Sequence, residues 1–301
     1  MRVVLLGPQR RPTLDSAVRS LGLPGPFATV TAGWREREPD DGELAALLGG
    51  SVVNLGLYRR GLDVAGRDPE WAAAEREVRR VLAAMQEVYL LRLDYALRAV
   101  YAVQRRSLGG AGVDVEAFEE AVAGVRELDE THRRRVNGVR GEFYARFPPH
   151  ERAVIAGHRE EVAAGLRDSS ALVVAGGHVG VLADVLHLFN VAAALPSSSG
   201  GSTVIAWSAG AMALTDRIVL FHDRAPQGPG QPEVYGSGLS LVRDVVLLPH
   251  AKARLLLDDG PRMAVLARRF GPARCVPLEA GTRIDVVDGA WPDGVRVIGA
   301  A

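Results

Sequence analysis

The chain has 301 residues, of which 48% are apolar and 24% charged, enough to bury one large α/β core or two smaller ones. Its 36 basic and 36 acidic residues balance, so the chain has no net charge that would attract nucleic acid or an anionic membrane, and a small or peptide-like partner is favoured. The single cysteine, Cys275, excludes an internal disulfide, and there is neither zinc-site spacing nor a long apolar run. The sequence therefore predicts a cytoplasmic protein without structural metal or cofactor.

Short apolar runs rich in β-branched residues recur along the chain, and each ends near glycine or a polar residue, as buried parallel strands do. They are RVVLLG (2–7), ATVTAG (28–33), SVVNLGL (51–57), ALVVAGG (171–177), TVIAWS (203–208), RIVLFHD (217–223), DVVLLPH (244–250) and RCVPLE (274–279). Helical patterns lie between several of these runs, at 42–49, 178–194, 209–215 and 261–270, and TRIDVVDG with GVRVIG indicates a closing hairpin. The alternation predicts an α/β fold with a doubly wound, mostly parallel sheet, which binds ligands beyond the carboxyl ends of its strands.

A helical segment interrupts this alternation between the third and fourth strands. Apolar residues from Trp71 to Tyr95, and again from Val115 to Phe143, mostly follow the three-and-four spacing of amphipathic helices. We therefore predict an α/β catalytic domain formed by 1–67 and 166–301, with a helical insertion at 68–165. Three roles for the insertion remain open: a cap over the site, a homodimer surface, or a packed structural layer.

Ser208 lies where an apolar strand meets AGAMAL, a sequence that can begin a helix. A sharp strand-to-helix turn pushes a serine hydroxyl out above the sheet and crowds the positions two before and two after it. Ala206 and Gly210 are small enough for that turn. The pattern predicts a nucleophile elbow, with a helix N-cap serine as the alternative.

A serine nucleophile needs a base, and the base needs an orienting acid. His250 is the best placed of the seven histidines, because it follows the buried run DVVLLP. Glu279 ends the next strand, and Asp223 is a rival acid at the end of another. The choice between these two carboxylates stays open.

An oxyanion formed at Ser208 needs backbone donors. The elbow supplies the N–H of Ala209, and the Gly176–Gly177 turn allows backbone to approach a substrate without a Cβ in the way. A phosphate-binding turn is the competing interpretation, but neither of the usual glycine-rich phosphate motifs occurs.

The segments AGG (175–177), WSAGA (207–211), LLPH (247–250) and LEAGTRID (278–285) together resemble the serine peptidase family of peptidase E and cyanophycinase (family S51), whose fold is similar to class I glutamine amidotransferases. The order nucleophile, histidine, acid differs from that of α/β-hydrolases. The resemblance covers roughly 1–57 and 168–290. It implies Ser208 as nucleophile, His250 as base, Glu279 as acid and Gly177 with Ala209 as oxyanion donors, while Asp223 matches an aspartate also implicated in the family.

The resemblance implies a serine peptidase or amidohydrolase acting on a short peptide, with an acidic residue beside the cleaved bond. Such a substrate needs a cation, for which Arg254, Arg262 and Lys252, the only lysine of the chain, are candidates. Gly176 and His178 are further candidates for substrate contact. Two alternatives remain: an acyltransferase or amidotransferase using the same site, and a binding or regulatory protein with a vestigial triad.

Overall fold

The computed structural model describes residues 1–9, 13–107, 112–196, 202–223 and 230–299. Its strands are β1 (Arg2–Leu6), β2 (Phe27–Val30), β3 (Val52–Asn54), β4 (Ala171–Val174), β5 (Thr203–Trp207), β6 (Ile218–Leu220), β7 (Glu233–Gly236), β8 (Val245–Pro249), β9 (Arg274–Leu278) and β10 (Arg283–Val287). Six of them form one sheet in the order β10-β1-β5-β4-β2-β3. All neighbours in that sheet are parallel except β10, which runs antiparallel to β1.

Helices cover both faces of this sheet. They are α1 (Leu14–Leu21), a 3₁₀ helix (Ala32–Arg37), α2 (Gly42–Leu47), α3 (Leu57–Arg67), α4 (Pro69–Ser107), α5 (Gly112–Arg146), α6 (Ala153–Arg167), α7 (Val179–Leu188), α8 (Val191–Ala194), α9 (Ala209–Ala213), α10 (Ala251–Arg254) and α11 (Gly260–Phe270). Successive side chains of a strand point to opposite faces, so Val3 and Leu5 join the larger core while Val4 and Leu6 join the smaller one. The predicted α/β class, with its mostly parallel sheet and long helical insertion, is confirmed.

Two strand predictions are wrong in their pairing. The sequence predicts a parallel strand at 217–223, yet β6 pairs antiparallel with β7. The connecting residues 221–232 are rich in proline and glycine and have no pattern of a crossover helix, which a parallel neighbour would require. The predicted closing hairpin does not form either, because β10 pairs with β1 along five residues and 295–298 lie outside any strand.

β8 and β9 form a parallel two-stranded ladder of their own. Beyond the end of β1, Gly7 N–H donates to Thr282 O at 2.9 Å, which continues the β1–β10 pairing. A Cβ at Gly7 would overlap the carbonyl of Glu279. The carboxyl ends of β9 and β1 therefore lie together, and β1 is the direct neighbour of β5.

The insertion consists mainly of α4 and α5, which pack antiparallel against each other and against the body of the protein. Trp71, Leu93, Val122 and Phe143 from these helices are part of the larger core. The insertion is therefore continuous with the sheet's own core. None of the described helices combines the length and apolar character that a bilayer-crossing helix requires.

Candidate active site

Ser208 occupies a strained turn between β5 and α9. Its backbone has φ 50° and ψ −123°, a region that residues with a Cβ rarely adopt and that costs about 1–3 kcal/mol. The residue is half-buried, while Trp207 and Ala209 on either side are buried. The strain persists because the flanking strand and helix are fixed by packing, and such strain clusters at functional sites.

The residues around Ser208 leave no room for larger side chains. A Cβ at Gly210 would lie 2.5 Å from Val174 O and 2.6 Å from Ala175 O. Ala206, two residues before the serine, is fully buried. The end of β4 thus passes directly against the elbow, as the small residues at 206 and 210 predict.

The glycine pair after β4 lies beside the serine. A Cβ at Gly176 would be 3.0 Å from the Cβ of Ser208. Gly177 has φ 131°, and a Cβ there would overlap Gly33 O, the acceptor of a 2.8 Å hydrogen bond from His178 N. The turns after β2, β4 and β5 are therefore packed backbone against backbone at one rim.

His250 follows β8 and is in the left-handed conformation, with φ 59° and ψ 32°. Its N–H donates to Leu278 O at 3.0 Å, which continues the β8–β9 ladder to the last residue. The residue is half-buried and lines the same cavity as Ser208, Gly176, Gly177 and Ala209. The structure thus brings the proposed nucleophile, base and oxyanion donors to one cavity.

Glu279 lies at the base of the turn that carries His250. One carboxylate oxygen, Oε1, accepts a 2.7 Å hydrogen bond from Lys252 N–H. The backbone N–H of Glu279 donates to Thr282 Oγ1 at 3.2 Å. The carboxylate therefore fixes the first turn of α10, which begins directly after the histidine.

The carboxylate of Asp223, the rival acid, is bound mainly by an arginine side chain. This buried carboxylate accepts from Arg262 Nε at 2.9 Å and Nη2 at 2.7 Å, and also from Leu256 N–H at 3.1 Å. Burial alone would lower the pKa of Arg262, but the hydrogen bonds and charge of Asp223 outweigh it and raise the pKa. Both expected site residues are thus engaged with each other, and Arg262 Nη2 also donates to Gly230 O at 2.7 Å.

The three remaining candidates for substrate contact, His178, Lys252 and Arg254, lie in different environments. His178 is exposed, its Nδ1 accepts from Val181 N–H at 3.2 Å as the N-cap of α7, and partial desolvation of the ring lowers its pKa. Lys252 has an exposed side chain and is not among the described residues that line the cavity. Arg254 does line it, with its guanidinium 6.0 Å from the centre of the Phe221 ring.

The cavity has a volume of about 610 Å³, within the range of roughly 300–1,000 Å³ typical of small-molecule sites. Two walls flank Ser208. The α2 wall comprises Trp34, Glu43, Leu44 and Leu47, and the β6 wall comprises Met212, Leu220, Phe221 and Arg254.

Sequence reasoning missed both walls apart from Arg254. One feature of the sequence points to the α2 wall: Trp34 is an aromatic residue directly after the glycine that ends a predicted strand. Within the described ranges, residues 68–165 contribute nothing to the lining, and no three His, Cys, Asp or Glu side chains are grouped as a metal site.

No protein-family model matches the chain, and no curated protein matches it. Among solved structures, the crystal structure of a peptidase from an acI-B1 Actinobacterium is similar, with 14% sequence identity and a TM-score of 0.47. That similarity covers 100% of this chain and 88% of the peptidase.

Proposed function

We propose that the protein is a serine hydrolase that cleaves the amide bond of a small peptide through an acyl-enzyme at Ser208. One observation carries the proposal: Ser208 has a strained positive-φ backbone at the exit of a central parallel strand, in a cavity that it shares with His250. An N-cap serine does not need this strain, since ordinary N-caps adopt extended backbone angles. No side-chain capping bond from Ser208 occurs in the described structure.

The chemistry follows from these positions. His250 takes the Ser208 proton as Oγ attacks the amide carbon, and the carbonyl becomes an oxyanion that the N–H groups of Gly177 and Ala209 stabilise. The C–N bond then breaks, and His250 returns the proton to the leaving amine. Water attacks the remaining ester with His250 again as base, which releases the acid and restores the Ser208 hydroxyl.

Glu279 is the better candidate for the orienting acid. Arg262 binds both carboxylate oxygens of Asp223, so orienting an imidazole would compete with a buried, bidentate ion pair. The carboxylate of Glu279 instead lies at the turn that carries His250. We assign Glu279 to the triad and Asp223 to the support of the loop beside it.

The order of these residues also supports a relationship with the peptidase E and cyanophycinase family. The proposal includes a cytoplasmic enzyme that uses no cofactor and acts on a small peptide or amide, without nucleic acid or membrane partners. Exposed apolar side chains on α4, Val88, Leu91 and Tyr95, support a homodimer surface on the insertion.

A serine-directed fluorophosphonate tests the proposal directly. We expect one phosphonyl adduct at Ser208 by peptide mass spectrometry, none in Ser208→Ala, and labelling at least about 10³-fold slower in His250→Gln. Ser240→Ala is the matched control, because Ser240 is also a half-buried serine with positive φ, at 56°. Absence of labelling in wild type, or equal loss in the Ser240 control, would refute a nucleophilic Ser208.

A further inference from the structure

We propose, on the basis of the hydrolase function above, that the substrate is a short peptide with free termini whose N-terminal residue is bulky and apolar. This departs from the acidic residue that the family resemblance implies. The two walls of the cavity, their charges and the position of His250 beside the β6 wall carry the inference.

The walls belong to opposite faces of the sheet. Leu44 is part of the smaller core, and Trp34 packs against that core. Met212 and Phe221 are part of the larger core, and Leu220 packs against it. A substrate bound at Ser208 therefore lies across the rim of the sheet, with one portion against each wall.

The positions of the proposed catalytic groups determine which wall binds the acyl residue of the substrate and which binds the leaving residue. Gly177, the proposed oxyanion donor, is in backbone contact with Gly33, the residue before Trp34. His250 precedes Arg254 by one helical turn, on the side of the β6 wall. Because His250 protonates the leaving amine, the leaving residue lies along the β6 wall and the acyl residue along the α2 wall.

Each wall carries one charge of the sign that a free terminus requires. Glu43 on the α2 wall is an exposed carboxylate at the cavity, suited to the ammonium group of an N-terminal residue. Arg254 on the β6 wall is exposed at the cavity, suited to the carboxylate of the leaving residue. The two charges therefore match the two ends of a short, unblocked peptide.

An acidic acyl residue does not fit this arrangement. Its carboxylate would lie against Trp34, Leu44 and Leu47, with the like charge of Glu43 on the same wall. Of the three cations expected to bind it, Arg262 is paired with Asp223 and the Lys252 side chain is exposed, outside the described lining. Arg254 alone lines the cavity, and it lies on the leaving-group side.

The test compares Leu-Ala, Phe-Ala, Gly-Ala and Asp-Ala as substrates, together with N-acetyl-Leu-Ala and Leu-Ala amide. We expect kcat/KM for Leu-Ala and Phe-Ala to exceed that for Gly-Ala and Asp-Ala by roughly 10–200-fold, the range of discrimination that an apolar pocket provides. Glu43→Gln should lower kcat/KM for Leu-Ala without lowering it for N-acetyl-Leu-Ala. Arg254→Gln should lower it for Leu-Ala without lowering it for Leu-Ala amide.

Two matched controls change charge outside the cavity. Glu87→Gln and Arg105→Gln alter exposed residues of α4 and should leave all six rates unchanged. Preference for Asp-Ala, or hydrolysis of the blocked peptides as fast as Leu-Ala, would overturn the inference while fluorophosphonate labelling of Ser208 still supports the hydrolase. Labelling without cleavage of any of these peptides would likewise overturn the inference alone, whereas absence of labelling would overturn the proposed function itself.

Discussion

Gly210 is the residue whose size the elbow constrains most directly, and Gly210→Ala tests this. The added Cβ would lie 2.5 Å from Val174 O and 2.6 Å from Ala175 O, so either β4 or the elbow must shift. We expect a loss of about 1–3 kcal/mol in the free energy of unfolding and slower fluorophosphonate labelling of Ser208, because the hydroxyl moves with the turn. Urea denaturation and labelling kinetics measure the two effects.

A second glycine provides the control for this prediction. Gly157 lies inside α6, and a Cβ there would meet nothing within 4 Å. Gly157→Ala should therefore stabilise the protein by up to about 1 kcal/mol and leave labelling unchanged. If Gly210→Ala and Gly157→Ala had the same stability and the same labelling rate, the turn at Ser208 would be able to accommodate the added Cβ.

Asp223→Asn distinguishes a structural aspartate from a triad acid. Removing one partner of a buried ion pair leaves Arg262 uncompensated, and we expect a loss of about 3–5 kcal/mol in the free energy of unfolding. The control is Asp285→Asn, because Asp285 also binds an arginine through two 2.8 Å hydrogen bonds, from Arg283, but both side chains are about one-third exposed. That pair should contribute no more than about 1 kcal/mol. A fall in labelling rate with unchanged stability in Asp223→Asn would instead identify Asp223 as the orienting acid.

At the scale of single residues, the sequence predicts the features that depend on steric contacts between neighbours in the chain. The small residues around Ser208 follow from the turn itself, so a sharp turn at this position is predictable from Ala206 and Gly210. The pairing of Asp223 with Arg262 is not, because the partner is 39 residues away along the chain and several arginines were equally available. Trp34 and Glu43 were missed for the same reason, since their place at the cavity depends on how β2 packs beside β4.

Among the elements, the helical insertion is joined to the body by a buried polar cluster. Asp129 on α5 accepts from Arg269 Nε at 2.7 Å and Nη2 at 2.8 Å, and from Tyr89 Oη on α4 at 2.8 Å. Tyr89 Oη also accepts from Val234 N–H of β7 at 3.0 Å. One cluster therefore connects both helices of the insertion to α11 and to the β6–β7 hairpin.

Arg269→Met should destabilise the protein by about 3–5 kcal/mol, because Asp129 keeps a buried charge without its cation. The neighbouring Arg268→Met is the control, since Arg268 pairs with Glu119 where both side chains are about half exposed, and such pairs contribute about 0–1 kcal/mol. Urea denaturation measures both variants. If Arg269→Met lowered the free energy of unfolding no more than Arg268→Met, the insertion would not depend on this cluster for its attachment.

The burial and the connections of the strands also explain which strand predictions were correct. Runs such as ALVV and TVIAW are apolar on both faces and fit a sheet covered on two sides. The same signature appears in RIVLFHD, yet β6 lies outside the main sheet and pairs with β7. Hydrophobic runs predict that a strand is buried, whereas the connection that follows decides its partner and direction.

At the scale of the whole molecule, the proposed site lies where two separate β structures end. The six-stranded sheet supplies Ser208 and the glycine turns, while the β8–β9 ladder supplies His250 and Glu279. Gly7 and Glu279 are in close backbone contact where β1 and β9 end. Global stability is therefore a condition for the proposed catalytic geometry, and conditions that weaken the fold should weaken labelling of Ser208.

Acidification is such a condition, because two histidines have a lower affinity for protons in the folded chain than in the unfolded chain. Burial lowers the pKa of His132 and of His187 below the ordinary value of 6.5. Below about pH 6.5 the unfolded chain binds protons at these positions that the folded chain does not. The free energy of unfolding should then fall by at most about 1.4 kcal/mol per pH unit for each histidine, down to its folded pKa.

Urea denaturation at pH 7.5 and 5.5 measures this loss, and we expect lower stability at pH 5.5. Acids with lowered pKa, such as Asp68, start from an ordinary value of 3.8, so their contribution is lost only below this window. Glu233, whose pKa burial raises, acts in the opposite direction, but it is present in every variant compared. His187→Gln should therefore reduce the difference between the two pH values, while His150→Gln, at an exposed position, should keep it. A difference unchanged in His187→Gln would mean that this half-buried imidazole does not link folding to protonation.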